Sequence, residues 1–267
     1  MSKPILVVRL GTVPYEEARA MQQRLEARRQ ADEIPDVLLL LEHPPVYTRG
    51  RRSLPEELPM GDAWYEAQGI EVLDTDRGGL VTYHGPGQLV AYPIVDLAPY
   101  GGDVHEYVRR MERAIIETLA ASGVEAIVHE GLTGVWTTGT PPAPPRTASR
   151  SSREAAADSL DAARALAADP ARKIASIGIH VSRGVTTHGL AINVNNDLQP
   201  FEWIVPCGIG GVAMTSLARE LGAEQDLGAV GSVLAERLGA AYEREPVETP
   251  AADLDRQAPG ATLTSKA

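Results

Sequence analysis

The chain has 267 residues, 43% of them hydrophobic and 23% charged, which is typical of a globular protein and not of a disordered one. Its longest aliphatic run, Val37 to Leu41, is far shorter than the roughly 20 residues of a membrane-spanning helix, and the apolar stretch at its start is too short for a signal peptide, so we expect a cytoplasmic protein. The net charge of −11 argues against a nucleic-acid partner, whose phosphates require a basic surface.

The spacing of the apolar residues predicts the secondary structure. Several strands follow one another without a helix between them, which predicts an α+β fold with a mixed, largely antiparallel sheet flanked by helices. In chain order, the predicted strands are Ile5–Leu10, Val37–Glu42, Glu71–Asp74, Leu80–His84, Leu89–Val95, Glu125–His129, Gly134–Thr137, Ile174–Val181 and Thr186–Val194. The predicted helices are Tyr15–Arg29, Val104–Ala121, Ser216–Leu221 and Leu227–Tyr242.

A single domain over residues 1–242 is predicted, with two segments that lack the apolar periodicity of a folded element. Residues 139–170 are rich in proline and alanine and are predicted to be a disordered insertion between two strands. Residues 243–267 carry scattered acidic residues and prolines, and we expect a disordered acidic tail there.

The only cysteine of the chain, Cys207, excludes an internal disulfide and any metal site built from several thiolates. A free thiol in a turn is either a small buried residue or a nucleophile, and a nearby ammonium would raise its thiolate fraction. Pro206 stiffens the approach to the thiol, and Gly208 leaves the next backbone N–H unshielded as a donor to a developing oxyanion.

Lys173 is the only lysine away from the chain ends, because the other two are Lys3 and Lys266. Arginine, which the chain uses elsewhere, keeps its proton in proteins, whereas a lysine with a shifted pKa can release it. A lysine that opens an apolar strand is either held at the edge of a pocket or serves as a solubilising residue at a strand end. Both interpretations stay open.

A glycine-rich block runs from Arg77 to Gln88 and ends in a strand. Its glycines allow backbone N–H groups to approach a ligand closely, but two ordinary turns between strands would have the same composition. His84, taken alone, is more typical of a structural histidine than of a catalytic one. Gly178 and Gly189, inside predicted strands, indicate either close approach of a ligand or a β-bulge.

Three arginines, Arg49, Arg51 and Arg52, offer one candidate for a local positive patch beside a predicted loop. A patch of this kind would let acidic protein partners dock on an acidic chain, but three arginines beside a loop more often belong to a solvated turn.

Four segments in this order, RGGLVTYHGPGQ (77–88), KIASIG (173–178), HGLAINVN (188–195) and PCGI (206–209), resemble the lipoyl(octanoyl) transferases of lipoate biosynthesis. The similarity begins at Glu42-His43-Pro44 and fades in the last helices. It implies the α+β fold shared by biotin and lipoate protein ligases. Because the resemblance extends over four segments, it is far more specific than any single motif.

The resemblance implies a role for each matching residue. Cys207 is expected to attack octanoyl carried on acyl carrier protein and hold it as a thioester, while Lys173 lowers the pKa of that thiol. The octanoyl group then passes to a lysine amine of lipoyl domains in 2-oxoacid dehydrogenase and glycine cleavage complexes, with no cofactor, metal, nucleic acid or membrane involved. The expected substrate-contacting residues are Arg77, Gly78, Gly79, Leu80, Val81, Thr82, Tyr83, His84, Ser176, Ile177, Gly178, Gly189, Leu190 and Ala191.

The long stretch between Trp136 and Lys173 departs from the family pattern. Three other functions remain possible from the residues alone: an ATP-dependent lipoate or biotin protein ligase, a catalytically silent protein that binds lipoyl domains, and a cysteine hydrolase with His84 as its base. The chain lacks a P-loop lysine motif, and transfer between thioesters needs no nucleotide because it is nearly thermoneutral.

Overall fold

A computed structural model of the protein describes residues 3–138, 171–205 and 212–256. Cys207, the predicted insertion at 139–170 and the last residues of the predicted tail lie outside the described residues. Within the described ranges, no helix is both long enough and apolar enough to span a membrane.

The main sheet has nine strands in the order β12-β1-β2-β6-β10-β9-β8-β7, and the short β11 pairs with β9. Pairing is parallel for β12 with β1, β1 with β2 and β11 with β9, and antiparallel for the others. The strands are β1 (Lys3–Thr12), β2 (Asp36–Glu42), β6 (Gln88–Ile94), β7 (Ala126–His129), β8 (Leu132–Thr137), β9 (Arg172–Ser182), β10 (Val185–Asn193), β11 (Ala213–Met214) and β12 (Arg244–Glu248).

Helices cover both faces of this sheet, because alternate residues of its strands are apolar on both sides. Met111 and Ile115 of α3 and Leu234 of α6 pack on one face, and Ala18 and Leu25 of α1 pack on the other. The helices are α1 (Tyr15–Gln30), α2 (Asp62–Ala67), α3 (Val104–Ala121), α4 (Gln199–Glu202), α5 (Leu217–Leu221) and α6 (Leu227–Ala241), and short 3-10 turns lie at Pro55–Glu57, Ala98–Tyr100 and Ala251–Arg256.

A second sheet of three strands, in the order β4-β3-β5, stands beside the main one. Its strands are β3 (Val46–Arg49), β4 (Glu71–Asp74) and β5 (Thr82–His84). Tyr47, Tyr65 and Phe201 form an aromatic core beneath it. Because the glycine-rich block leads from β4 into β5, this sheet holds the block against the main sheet.

The predicted α+β fold with a mixed, largely antiparallel sheet is confirmed. The prediction of a disordered tail from residue 243 is wrong for residues 244–256, because β12 pairs in parallel with β1 over five residue pairs. The buried Arg244 also binds Asp36 at 2.7 Å, which is itself buried at the start of β2. A charged edge strand of this kind has too little apolar alternation to be found from sequence.

Candidate functional site

A cavity of about 530 Å³ lies between the glycine-rich block and strands β8, β9 and β10. Every expected substrate-contacting residue except Tyr83 lines it, and so does Lys173. Further lining residues that the sequence did not single out for this site are Tyr15, Arg52, Tyr92, Val108, Gly131, Leu132, Thr133, Trp136, Ile179 and His188.

Tyr83 points away from the cavity because successive side chains of a strand face opposite sides. Its neighbours Thr82 and His84 line the cavity, whereas its own ring lies 5.4 Å from the ring of Phe201 and 5.5 Å from that of Tyr47. Tyr83 is therefore part of the aromatic core of the second sheet.

Lys173 is almost completely buried in the cavity wall, with 3% of its surface exposed. Its Nζ donates a hydrogen bond to the carbonyl oxygen of Thr133 at 3.0 Å and lies 5.4 Å from the ring centroid of Trp136. An ammonium over an aromatic face is stabilised by the ring quadrupole. The sequence alternative in which Lys173 is a solubilising strand end does not fit this burial.

The path of the Lys173 side chain depends on Gly134 in β8. A Cβ atom at Gly134 would lie 2.5 Å from the carbonyl oxygen of Ala175 and 2.7 Å from Lys173 Cε, and its φ of 113° is a conformation that other residues rarely adopt. The absence of a side chain at Gly134 thus makes room for the lysine stem across β8.

The glycine-rich block is attached directly to the middle of β9. Gly78 donates its N–H to the carbonyl oxygen of Ile179 at 2.8 Å, and a Cβ atom at Gly178 would lie 2.9 Å from the Gly78 carbonyl oxygen. The Arg77 guanidinium donates to the carbonyl oxygen of Thr48 at 2.6 Å, so it anchors the block to β3. Close contact between the two backbones therefore explains the glycines at positions 78 and 178 without a ligand.

Glu57 connects this block to the described residues that precede Cys207. Its side chain is 2% exposed and accepts a hydrogen bond from the Val81 N–H at 3.1 Å. Its carbonyl oxygen accepts the N–H of Val205 at 3.0 Å. On the far side of residues 206–211, the Thr215 N–H donates to the carbonyl oxygen of Lys173 at 2.9 Å.

Histidine and tyrosine side chains form a polar network at the cavity wall. His188 Nε2 lies 2.8 Å from the Asp76 carboxylate, and its Nδ1 lies 3.3 Å from the Tyr15 hydroxyl. His43 Nδ1 lies 2.7 Å from the carbonyl oxygen of Val13, so it is the donor there, and its Nε2 accepts from the Tyr92 hydroxyl at 2.7 Å.

Burial sets the protonation of this network. It lowers the pKa of His43 to about 4, and it also lowers the pKa values of His84 and His188. The hydrogen bond with His188 lowers the pKa of Asp76. At neutral pH a neutral His188 therefore donates from Nε2 to an ionised Asp76 carboxylate.

Residues 14–239 match the model of the lipoyl protein ligase A/B catalytic domain. The octanoyltransferase of Chloroflexus aggregans is 42% identical over 92% of this chain and 98% of its own length, and that of Thermobifida fusca is 46% identical over 78% and 76%. The chain belongs to the octanoyltransferase family. It is an acyltransferase, as the sequence resemblance implied.

Solved structures confirm the fold of this octanoyltransferase. A bipartite lipoate protein ligase of Thermoplasma acidophilum superposes with a TM-score of 0.64 at 14% identity, covering 94% of this chain and 87% of the ligase chain. Among the described residues of this octanoyltransferase, no group of three or more His, Cys, Asp or Glu side chains is placed to hold a metal ion.

We expect Gly134→Ala to lower the octanoyl transfer rate about 100-fold, because the new methyl group displaces the Lys173 ammonium. A misplacement of about 1 Å at a reacting group lowers a rate by about this factor. The rate and the melting temperature are measured together. Gly184→Ala, in the β9–β10 turn, is the matched control, since its φ is 83° but its Cβ has nothing closer than 4.0 Å. Equal transfer rates in the two variants would contradict the conclusion that Gly134 makes room for the Lys173 side chain.

We expect the free energy of unfolding to fall as the pH drops from the ordinary histidine pKa of 6.5 towards about 4. In that window the unfolded chain binds a proton that buried His43 does not bind, so acid favours unfolding, and the lowered pKa values of His84 and His188 act in the same direction. Each such histidine contributes a slope of up to about 1.4 kcal/mol per pH unit.

Urea unfolding between pH 7.5 and 5 measures that slope. His43→Asn keeps a donor towards Val13 and removes one titrating ring, so its slope is shallower than that of the unaltered protein. His105→Asn, which removes an exposed histidine of α3, is the control. A His43→Asn slope identical to the unaltered slope rules out burial of a neutral His43 as the cause.

Proposed function

We propose that this octanoyltransferase takes its acyl group from octanoyl-acyl carrier protein, holds it as a thioester on Cys207 and passes it to a lysine amine of a lipoyl domain. The main support is the anchoring of the chain on both sides of residues 206–211. Val205 is bound to Glu57 before this segment, and Thr215 is bound to Lys173 after it. The described residues on both sides of this segment are therefore bound close to Val81 and Lys173, which both line the cavity, and this supports the proposed role of Cys207.

In the first half-reaction, the Cys207 thiolate attacks the thioester carbonyl carbon and the carrier thiolate leaves. The Lys173 ammonium gives its proton to the departing thiolate and becomes a neutral amine. One thioester replaces another, so no nucleotide is consumed. The nearby ammonium favours the thiolate form of the cysteine before attack.

In the second half-reaction, a neutral lysine amine of the acceptor attacks the acyl-enzyme and Cys207 leaves as a thiolate. The amine loses a proton to the neutral Lys173, which restores the ammonium for the next cycle. A guanidinium could not perform this step, because arginine keeps its proton in proteins. This cycle explains why a lysine is needed in a chain that otherwise uses arginine.

We assign the octanoyl chain to the apolar part of the cavity, where Leu132, Ile177 and Leu190 contribute to the lining. The volume of about 530 Å³ is within the usual range of small-molecule sites. Each methylene group that leaves water contributes about 0.8 kcal/mol, so a medium-length chain gains several kcal/mol there. The expected substrate-contacting segments 77–84, 176–178 and 189–191 would then surround it.

The proposed acceptors are lipoyl domains of 2-oxoacid dehydrogenase and glycine cleavage complexes. The ligase of Thermoplasma acidophilum is described together with its E2 lipoyl domain, which is consistent with a common acceptor for the fold. We also propose that the chain forms one catalytic domain, which includes β12 in addition to the predicted residues 1–242, and a cytoplasmic location stays a prediction of the sequence.

Mixing the protein with octanoyl-acyl carrier protein should add one octanoyl group to the chain, measured by intact-protein mass spectrometry. We expect Cys207→Ala to show no adduct, because the proposed thioester needs the sulfur atom. An octanoyl adduct of equal yield in Cys207→Ala would overturn the proposal. Incubation with free octanoate and ATP tests the ligase alternative, for which acyl transfer would appear without any carrier.

Lys173→Arg should lose nearly all transfer to a lipoyl domain although it keeps the positive charge. A guanidinium cannot accept the proton of the attacking amine. Acyl-enzyme formation and transfer are timed separately, and Lys173→Met, which keeps the apolar stem, is the comparison without charge. Transfer near the unaltered rate in Lys173→Arg means that the residue acts only as a fixed cation.

A further inference from the structure

Two exposed arginines, Arg51 and Arg52, lie at the mouth of the cavity, and Arg52 is one of its lining residues. Neither has an ion pair with any residue of the ranges 3–138, 171–205 and 212–256. Arg49 differs from them, because its guanidinium pairs with the carboxylates of Asp62 and Asp74. Of the three arginines in the candidate patch, Arg51 and Arg52 thus remain as the two whose charge is not offset by an ion pair within the described residues.

The turn that carries these two arginines is fixed to the cavity wall. Arg51 donates its N–H to the carbonyl oxygen of Arg77 at 3.0 Å, and Arg52 donates to that of Gly79 at 3.2 Å. A Cβ atom at Gly50 would lie 2.5 Å from the Gly79 carbonyl oxygen, so the turn packs directly on the glycine-rich block. The guanidiniums therefore extend from a backbone whose position relative to the cavity is set.

Beside this cavity, two cations that have no ion pair with the described residues are available to bind a ligand. The chain as a whole carries a net charge of −11, and many of its other arginines pair with carboxylates. Two like charges next to each other on one turn repel and gain nothing for the fold. Guanidiniums at a cavity mouth are suited to a phosphate, which they bind through paired N–H groups.

We propose that Arg51 and Arg52 bind the phosphate of the pantetheine arm that presents the octanoyl thioester. This inference rests on the proposed donor, because the phosphate belongs to the arm of the carrier. The thioester has to reach the wall at Lys173, while the charged phosphate stays in water at the mouth, beside Arg52. The acceptor is less suited to the site because its reacting group is an amine, which is cationic at rest and repelled by guanidiniums.

The test compares octanoyl-pantetheine with octanoyl-4′-phosphopantetheine, which differ only in the phosphate. The measured quantity is the ratio of their kcat/KM values in transfer to a lipoyl domain. For the unaltered protein we expect about a tenfold preference for the phosphorylated donor, equivalent to about 1.4 kcal/mol. The double variant Arg51→Ala, Arg52→Ala brings the ratio close to one, and Arg52→Lys retains part of it.

Arg24→Ala is the matched control, because Arg24 is an exposed arginine of α1 that does not line this cavity. Loss of the preference in this variant would point to the general field of the protein and overturn the assignment. So would an unaltered protein that does not distinguish the two donors, or a double variant that keeps the preference.

The full carrier protein provides a further measurement. If the double variant loses kcat/KM with octanoyl-acyl carrier protein but keeps the preference for free phosphopantetheine, the arginines contact the protein surface of the carrier, and the phosphate assignment is wrong. An unaltered protein that acylates Cys207 from none of the three donors refutes the proposed function itself. Failure of the phosphate assignment and failure of the proposed function are therefore distinguishable.

Discussion

The register of β9 against its neighbours is the constraint on which the cavity depends. Eight residue pairs join β9 to β10, and the two residues of the connecting turn, Arg183 and Gly184, both have the positive φ of a tight hairpin turn. A slip of one residue would move Lys173 to the opposite face of the sheet. The register shift between β8 and β9, next to Trp136, then sets the aromatic ring beside the lysine ammonium. Local hydrogen bonding therefore determines where the Lys173 side chain lies.

The cavity wall combines one buried ammonium with a set of buried histidines whose pKa values are lowered. A positive charge on His84 or His188 would be repelled by the nearby Arg77 guanidinium and would lose its hydration. The tautomers are determined by fixed partners, such as Val13 for His43 and Asp76 for His188. The histidines therefore provide shape and hydrogen bonds at neutral pH, which leaves proton transfer to Lys173 in the cycle proposed above.

Much of this site follows from residue type and spacing, and the rest depends on tertiary packing. The glycine-rich block and the lysine were recognisable because unusual residues occur there in a short stretch. Tyr83, which the resemblance placed among the substrate-contacting residues, does not line the cavity, because strand alternation turns every second side chain away. Trp136 and Tyr92 had no local signal, since an aromatic residue in an apolar strand is usual in any core. The edge strand β12 was missed because its pairing partner is β1, at the opposite end of the chain.

The charge distribution is compatible with the proposed use of an anionic donor by an acidic protein. At physiological salt the field of the whole chain is screened within about 8 Å, so the net charge of −11 has little effect on a phosphate that has reached the cavity mouth. Within that distance Arg51 and Arg52 dominate, and in the proposed complex they would align the arm with the cavity. A short-range attraction of this kind would be enough to position the phosphate of the proposed donor, without adding a long-range attraction that would hold the carrier.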